Sequence, residues 1–342
     1  MNIKGNVMNK SDLDRQAWLE QQLGAKAVLH AVTGGASFRQ FFRFQHQGST
    51  YILMDVTRDD LVACRQYVEL TSQFTAIGIR VPKVYAANLD DGWVWMEDVG
   101  DARLDTVLSP ENADEIYQKL MGVIATLQRA ELKLPIFGRE AMAFAMQGFQ
   151  SWFLEEWLGL HFSTAEQAVL NDAYDGLIEQ ALSQAQRPMH RDYHCQNVLL
   201  LPDRELAIID FQDAKIGPVT YDLASCLRDC YIDWPEQQVR AWMQRHYQHL
   251  CDDQIIRNIS LDHFTQWFDW MGIERHLKAC FTFIRKKLRD NDTHYMQYIP
   301  RTLNYIEQVS ANYRELSAFH ELLVASILPQ VARKGVMLCE RP

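Results

Sequence analysis

His190-Arg191-Asp192-Tyr193-His194-Cys195-Gln196-Asn197 runs directly into Val198-Leu199-Leu200-Leu201, and thirteen residues after Asn197 stands the acid of Ile208-Ile209-Asp210-Phe211. The apolar runs read as short strands, and the polar octet before them reads as a loop. A tight loop bearing Asp192 and Asn197 is thus set beside a short hairpin that ends in Asp210. Each of these residues is common alone, as a cap or turn former. Two linked groups at this separation, each next to an apolar strand, are far less common.

Outward from this island the chain changes character in both directions. On its C-terminal side, and on its N-terminal side back to about residue 99, amphipathic helical spacing dominates. Helices are predicted over 113–131, 144–157, 165–184, 235–250, 261–289 and 305–331. The first third is mixed instead. Ser11-Asp12 can cap a helix through Trp18 and Leu19. Thr33-Gly34-Gly35-Ala36-Ser37 is a glycine-rich loop, followed by strands at 38–44 and 51–55, a helix over 60–77, and strands at 84–87 and 93–96. The turn-rich, acidic Glu97-Asp98-Val99-Gly100-Asp101 marks a boundary, which divides the chain into 1–98 and 99–342.

At 342 residues the length suits about two domains. Hydrophobic residues at 48% and charged residues at 23% exclude wholesale disorder. The net charge is −10, and residues 99–342 carry −9 of it, so no basic footprint for nucleic acid is present. No apolar run reaches the length of a membrane span. Residues 1–15 lack the apolar core of an export signal. Seven cysteines without a CxxC pair argue against structural zinc, and reduced thiols in the cytoplasm are expected. No obligate protein partner is evident.

The island matches H-R-D-x-x-x-x-N followed by an apolar strand and D-F. Phosphoryl transfer from ATP needs a carboxylate that orients the attacking hydroxyl and accepts its proton, and hard oxygen ligands for the Mg²⁺ that bridges the phosphates. Asp192 is the candidate base, and Asn197 and Asp210 are the candidate metal ligands.

Further segments carry a resemblance. They are Gly35-Ala36-Ser37-Phe38-Arg39, Tyr51-Ile52-Leu53-Met54-Asp55, Met96-Glu97-Asp98-Val99-Gly100, Ile209-Asp210-Phe211-Gln212-Asp213-Ala214, the run from Gly217 to Ser225, and Asp269-Trp270-Met271-Gly272-Ile273-Glu274-Arg275-His276-Leu277-Lys278. With His190 to Asn197, they make the chain similar over nearly its whole length to the aminoglycoside phosphotransferase and choline kinase superfamily. Within it, the chain most resembles the bacterial kinases that phosphorylate N-acetylmuramate and N-acetylglucosamine at the anomeric position during cell-wall recycling. The resemblance implies an α+β, bilobal, protein-kinase-like fold, with a small β-rich N-lobe over 1–98 and a mostly helical C-lobe over 99–342. It implies that Gly34, Gly35, Ala36 and Ser37 fold over the ATP phosphates, and that the Glu97 carbonyl and Val99 N–H face adenine. It offers His194 either as a cationic or hydrogen-bonding group on the γ-phosphate or as a loop-packing residue, and assigns Asp222 to a structural bond with the catalytic loop.

One departure stands out. Met54 occupies the position where such kinases carry a phosphate-binding lysine. Either the chain is a nucleotide-binding pseudokinase, or Arg39 or Arg43, on one face of the neighbouring strand, supplies the charge. Glu69, on the following helix, then has only a solvated role.

The acceptor is less legible. An acidic lobe suits a cationic acceptor, as in an aminoglycoside or choline-type phosphotransferase. Against that, Arg275, Lys278, Arg285 and Arg289 share one helix face, beside the stripe of Leu277, Phe281, Ile284 and Leu288. That face would either grip the carboxylate of an acid sugar or lie solvated. Trp152, Phe153 and Trp157 suit either a sugar-stacking surface or a core.

Overall fold

The computed structural model describes residues 10–32, 39–56 and 60–336. The glycine-rich loop at 33–38, with Gly34, Gly35, Ala36 and Ser37, lies outside them. The chain forms two compact units, one of residues 1–102 with 199–212 and one of residues 103–198 with 213–342. The hairpin that carries Asp210 therefore belongs with the N-terminal unit, not with the helical one. Leu200 N–H donates to the Ala102 carbonyl at 2.9 Å and Ile208 N–H to the Arg80 carbonyl at 2.9 Å, so backbone bonds tie it there.

The first unit opens with helix α1 (Lys10–Leu23) and strands β1 (His30–Ala31), β2 (Arg39–His46) and β3 (Ser49–Val56). Helix α2 (Leu61–Ala76) and strands β4 (Val84–Asn88) and β5 (Trp93–Glu97) follow. The five strands form one antiparallel sheet in the order β1-β2-β3-β5-β4. Alternation along β3 sends Leu53 to one face and Met54 to the other. Leu53 joins Leu19, Phe44 and Trp93 in a core capped by α1. Met54 is also buried, opposite Phe41 on β2 and Val94 on β5. Tyr67 and Phe74 of α2 pack on Phe211, with ring centroids 4.8 and 5.3 Å away.

The second unit is mostly helical: α3 (Leu104–Val107), α4 (Ala113–Arg129), α5 (Arg139–Gly148), α6 (Thr164–Leu182), α7 (Tyr221–Leu227), α8 (Glu236–Asp252), α9 (Leu261–Asp290), α10 (Ile299–Ser310), α11 (Ser317–Leu322) and α12 (Leu328–Arg333). After α5 the chain widens into a π-helical stretch, Phe149–Trp157. At the junction, a Cβ on Gly148 would lie 2.6 Å from the Phe281 ring of α9, so only glycine lets the two helices approach this closely. Ser163 and Glu166 close a reciprocal capping box at the start of α6. Phe153 and Trp157 are core residues, with Phe153 stacked on Phe149 at 5.0 Å.

Two predicted features differ. The helix expected over 305–331 breaks after Ser310, where Ser310 Oγ and Asn312 Nδ2 donate back to the Glu307 and Gln308 carbonyls and close α10. A two-stranded pairing of Gln186–Met189 with Lys215–Pro218 was not expected, because Pro188, Gly217 and Pro218 hide the strand signature. These strands flank the stretch that carries Asp192. Among the described residues no helix is long and apolar enough to cross a membrane, and the six cysteines are free thiols.

Candidate active site

The loop from His190 to Asn197 is shaped by side chains bonding to its backbone. Asp222, buried on α7, accepts from the His190 N–H at 2.6 Å and the Arg191 N–H at 2.9 Å. Arg191 adopts a left-handed backbone, φ 80°, which turns the chain sharply before Asp192. Asn197 Nδ2 donates to the Asp192 carbonyl at 2.9 Å and closes the other end. Asp229 accepts from the Cys195 and Tyr231 N–H groups at 2.8 and 2.9 Å, and Tyr193 Oη donates to the Leu120 carbonyl at 3.2 Å. Burial raises the Asp222 and Asp229 carboxyls above their ordinary range, against the pull of these backbone donors. Such buried polar groups hold their geometry because an unpaired one would be costly.

Asp192 itself is presented half-exposed, with its side chain 29% accessible. Two cations from α9 approach the same oxygen, Oδ1: Lys278 Nζ at 3.0 Å and Arg275 Nη1 at 3.6 Å. Arg275 is locked in turn by the Arg191 carbonyl and Tyr221 Oη, at 3.3 and 3.2 Å. Burial pushes the Asp192 carboxyl upward, but Lys278, Arg275, His194 and Arg191 outweigh it and hold the group far below the usual carboxylate range. Asp192 is therefore ionised at any working pH. His194 goes the other way. Burial pushes it down to about 3, so its imidazole is neutral at pH 7, and a hydrogen-bonding role is open to it but a cationic one is not. Its Nε2 lies 3.4 Å from Asn197 Nδ2.

A cavity of about 100 Å³ adjoins these groups, lined by Asp192, His194, Tyr231, Arg275, Lys278 and Phe283 among others. The cationic face expected on α9 divides. Arg275 and Lys278 turn to Asp192, whereas Arg285 lies over the Phe281 ring and Arg289 pairs with Asp290. That half of the face neighbours the loop from His190 to Asn197 was not readable from helical spacing. Glu274 was missed altogether. It is fully buried, and neither carboxylate oxygen has a hydrogen-bond partner among the described residues. Burial pushes its carboxyl up, against Arg275, Lys278 and Arg191.

In the first unit, Asp210 also has a left-handed backbone, φ 61°. Its Oδ1 accepts from Gln212 Nε2 at 2.8 Å and faces Arg39 Nη1 at 3.4 Å. Arg43, one of the two arginines offered as the phosphate cation, is paired with carboxylates of its own unit. Its guanidinium pairs with Asp98 at 2.7 Å and Asp101 at 2.8 Å, because the segment after β5 brings both carboxylates to β2. Of the two arginines it is Arg39 that stands beside Asp210. Glu97 ends β5 with its carboxylate on Arg80, at 2.8 Å, and on the Lys83 N–H. Val99 follows in irregular, half-buried backbone. Among the described residues, exposed Glu69 accepts from Gln73 alone, while Tyr67 Oη donates to Met96 Sδ at 3.3 Å. The lysine–glutamate pair of typical kinases is absent among the described residues. The candidate metal ligands are of the right chemistry for a hard cation. Asn197, with its amide nitrogen committed to the Asp192 carbonyl, keeps its oxygen available, and Asp210 offers a carboxylate that is 47% exposed.

Residues 28–254 match the phosphotransferase enzyme family. The chain is 32% identical over 310 residues to an N-acetylmuramate/N-acetylglucosamine kinase of Pseudomonas aeruginosa, covering 90% of each chain. It is 33% identical over 296 residues to the kinase of the same name from Neisseria meningitidis, covering 84% of this chain and 87% of the relative. Among solved structures, an ADP-bound aminoglycoside phosphotransferase APH(2'')-Ib superposes with a TM-score of 0.61 at 15% identity, over 87% of this chain and 99% of that one. The choline kinase LicA from Streptococcus pneumoniae gives 0.59 at 13% identity, over 88% and 100%. These structures share the protein-kinase-like fold.

The loop geometry predicts the consequence of losing its anchor. Asp222→Ala strands two backbone N–H groups, at about 1–3 kcal/mol each. Urea unfolding should show a loss of about 2–5 kcal/mol, with faster hydrogen exchange at His190 and Arg191. Asp222→Asn, which keeps one acceptor oxygen, should lose less. An alanine variant as stable as the parent would show that Asp222 does not hold the loop.

Proposed function

The chain belongs to the phosphotransferase enzyme family, and from that premise we propose that it transfers the γ-phosphoryl group of ATP to the anomeric hydroxyl of N-acetylmuramate or N-acetylglucosamine. The observation that carries this reading is the Asp192 constellation: an ionised carboxylate on a rigid loop, beside a cavity, with two cations at one oxygen. Both cations approach Oδ1, which leaves Oδ2 for an acceptor hydroxyl. A carboxylate held so far down is a weak base. It suits a reaction whose transition state is loose and needs the hydroxyl oriented more than deprotonated early.

The local charge supports an uncharged or anionic acceptor. The helical part of the chain is acidic as a whole, yet Arg275 and Lys278 line the cavity at Asp192. A cationic aminoglycoside or choline would meet them at close range. The half of the α9 face at the cavity is also placed to attract the carboxylate of an acid sugar. The reaction belongs to the cytoplasm, where ATP is supplied, and to the reuse of cell-wall amino sugars.

Asn197 and Asp210 are the proposed oxygen ligands of Mg²⁺, which when bound neutralises phosphate charge. His194 stays neutral and hydrogen-bonds within the loop. Gly34, Gly35, Ala36 and Ser37 supply backbone N–H groups to the phosphates, and the Glu97 carbonyl and Val99 N–H contact adenine. Arg39, rather than Arg43, takes over the charge that Met54 cannot offer. Arg39→Ala should weaken Mg-ATP binding by about 1.5–3 kcal/mol, the scale of a hydrogen bond to a charged group, and leave adenosine binding unchanged. Calorimetry that finds Mg-ATP affinity unaltered would remove Arg39 from the phosphate site.

The function is tested by ADP release with N-acetylmuramate, N-acetylglucosamine, kanamycin and choline as acceptors. The two amino sugars should support turnover and the two cations should not. Asp192→Asn should lose about 10²-fold or more in kcat while still binding ATP. Turnover confined to kanamycin or choline, or an asparagine variant as fast as the parent, would overturn the reading.

A further inference from the structure

Transfer of a phosphoryl group spreads negative charge over its three equatorial oxygens, and an enzyme must meet that charge on the acceptor side as well as on the nucleotide side. The catalytic loop does not provide this. His194, two residues after Asp192, lies with its Nε2 3.4 Å from Asn197 Nδ2. Arg191 turns away at its left-handed backbone. Its guanidinium lies 5.6 Å over the Phe137 ring and 3.6 Å from Asp213. Arg275 is bound to the Arg191 carbonyl and Tyr221 Oη. Lys278 is differently held. Its ammonium reaches Asp192 Oδ1 at 3.0 Å from a helix that begins far along the chain, and it lines the cavity.

The geometry points to Lys278 as a catalytic residue, the cation that contacts the phosphoryl group during transfer; this rests on the kinase reading above. A hydroxyl oriented by Asp192 lies within hydrogen-bond distance of that carboxylate, and the phosphorus it attacks lies about 3–3.5 Å further on. An ammonium on the other carboxylate oxygen, carried by a flexible four-carbon stem, is within reach of the same phosphoryl oxygens. The acceptor oxygen forms the new P–O bond as the bond from the γ-phosphorus to the β–γ bridging oxygen breaks. ADP leaves with that electron pair, and the hydroxyl proton passes to Asp192. Lys278 takes no part in this proton transfer and acts by charge. The bond to Asp192 also keeps the ammonium in place before substrates arrive.

A different role for the same ammonium, gripping the carboxylate of an acid sugar, gives a separate signature. Lys278→Met should lower kcat about 100-fold with N-acetylmuramate and with neutral N-acetylglucosamine alike, with KM values within about threefold of the parent. Lys278→Arg, which keeps the charge, should recover part of the loss. By calorimetry, binding of ADP and Mg²⁺ alone should be unchanged in Lys278→Met. Binding of ADP, Mg²⁺ and aluminium fluoride in the presence of sugar, which mimics the phosphoryl in transit, should weaken at least tenfold. ADP affinity also checks that each variant is folded, and the arginine variant carries the test if the methionine one is not. A loss confined to KM for the acid sugar, or aluminium fluoride binding equal to the parent's, overturns the assignment. Parent enzyme that turns over neither sugar overturns the kinase reading itself, whatever Lys278 does.

Discussion

The bond pair from His190 and Arg191 to the buried carboxylate of Asp222 is the constraint on which the site depends. It fixes the chain on entry to the loop and stabilises the left-handed turn at Arg191. That turn aims Asp192 at α9 rather than back into the helical core. The Asn197 amide on the Asp192 carbonyl fixes the exit. Backbone on both sides of the Asp192 side chain is thus hydrogen-bonded. The two strands that flank the loop, Gln186–Met189 and Lys215–Pro218, pair with each other and bring the loop and α7 together. The residues proposed to do chemistry are thus few, and those that hold them are many and buried.

Once Asp192 is fixed, electrostatics follow. Two cations at one carboxylate oxygen keep the acid ionised far below neutrality, which in the proposed reaction suits orienting a hydroxyl more than deprotonating it. The same cations line the cavity inside an acidic unit, so net charge alone is a poor guide to the acceptor. Long-range fields steer approach, whereas selection at the site is decided by groups within a few ångströms.

Much of this was legible in the chain. Period-two apolar runs located β2 to β5, and helical spacing located α2, α4, α6, α8 and α9 to within a few residues. The motif singled out Asp192 and Asn197, because their spacing within one loop is local information, and the loop is held as a local unit. Partners far apart in sequence were not legible. Alternation put Arg39 and Arg43 on one strand face, but it could not show that Asp98 and Asp101 would take Arg43. Helical spacing grouped Arg275 and Lys278 with Arg285 and Arg289, but only packing against the loop separates the first pair from the second. The buried Glu274, without a hydrogen-bond partner among the described residues, is hidden from helical spacing, since a glutamate on a long helix reads as surface. The short strands around the loop were hidden by proline and glycine, and the break after Ser310 by side chains that bond to backbone they follow.

The position of the transferred phosphate is the most direct test of what the Asp192 loop does. Phosphorus NMR of the protein with ATP, Mg²⁺ and N-acetylmuramate should show ATP converted to ADP and a new phosphomonoester signal coupled to the anomeric proton of the sugar. A phosphate coupled to another sugar proton, or ATP that remains unchanged, would contradict an anomeric kinase built around Asp192.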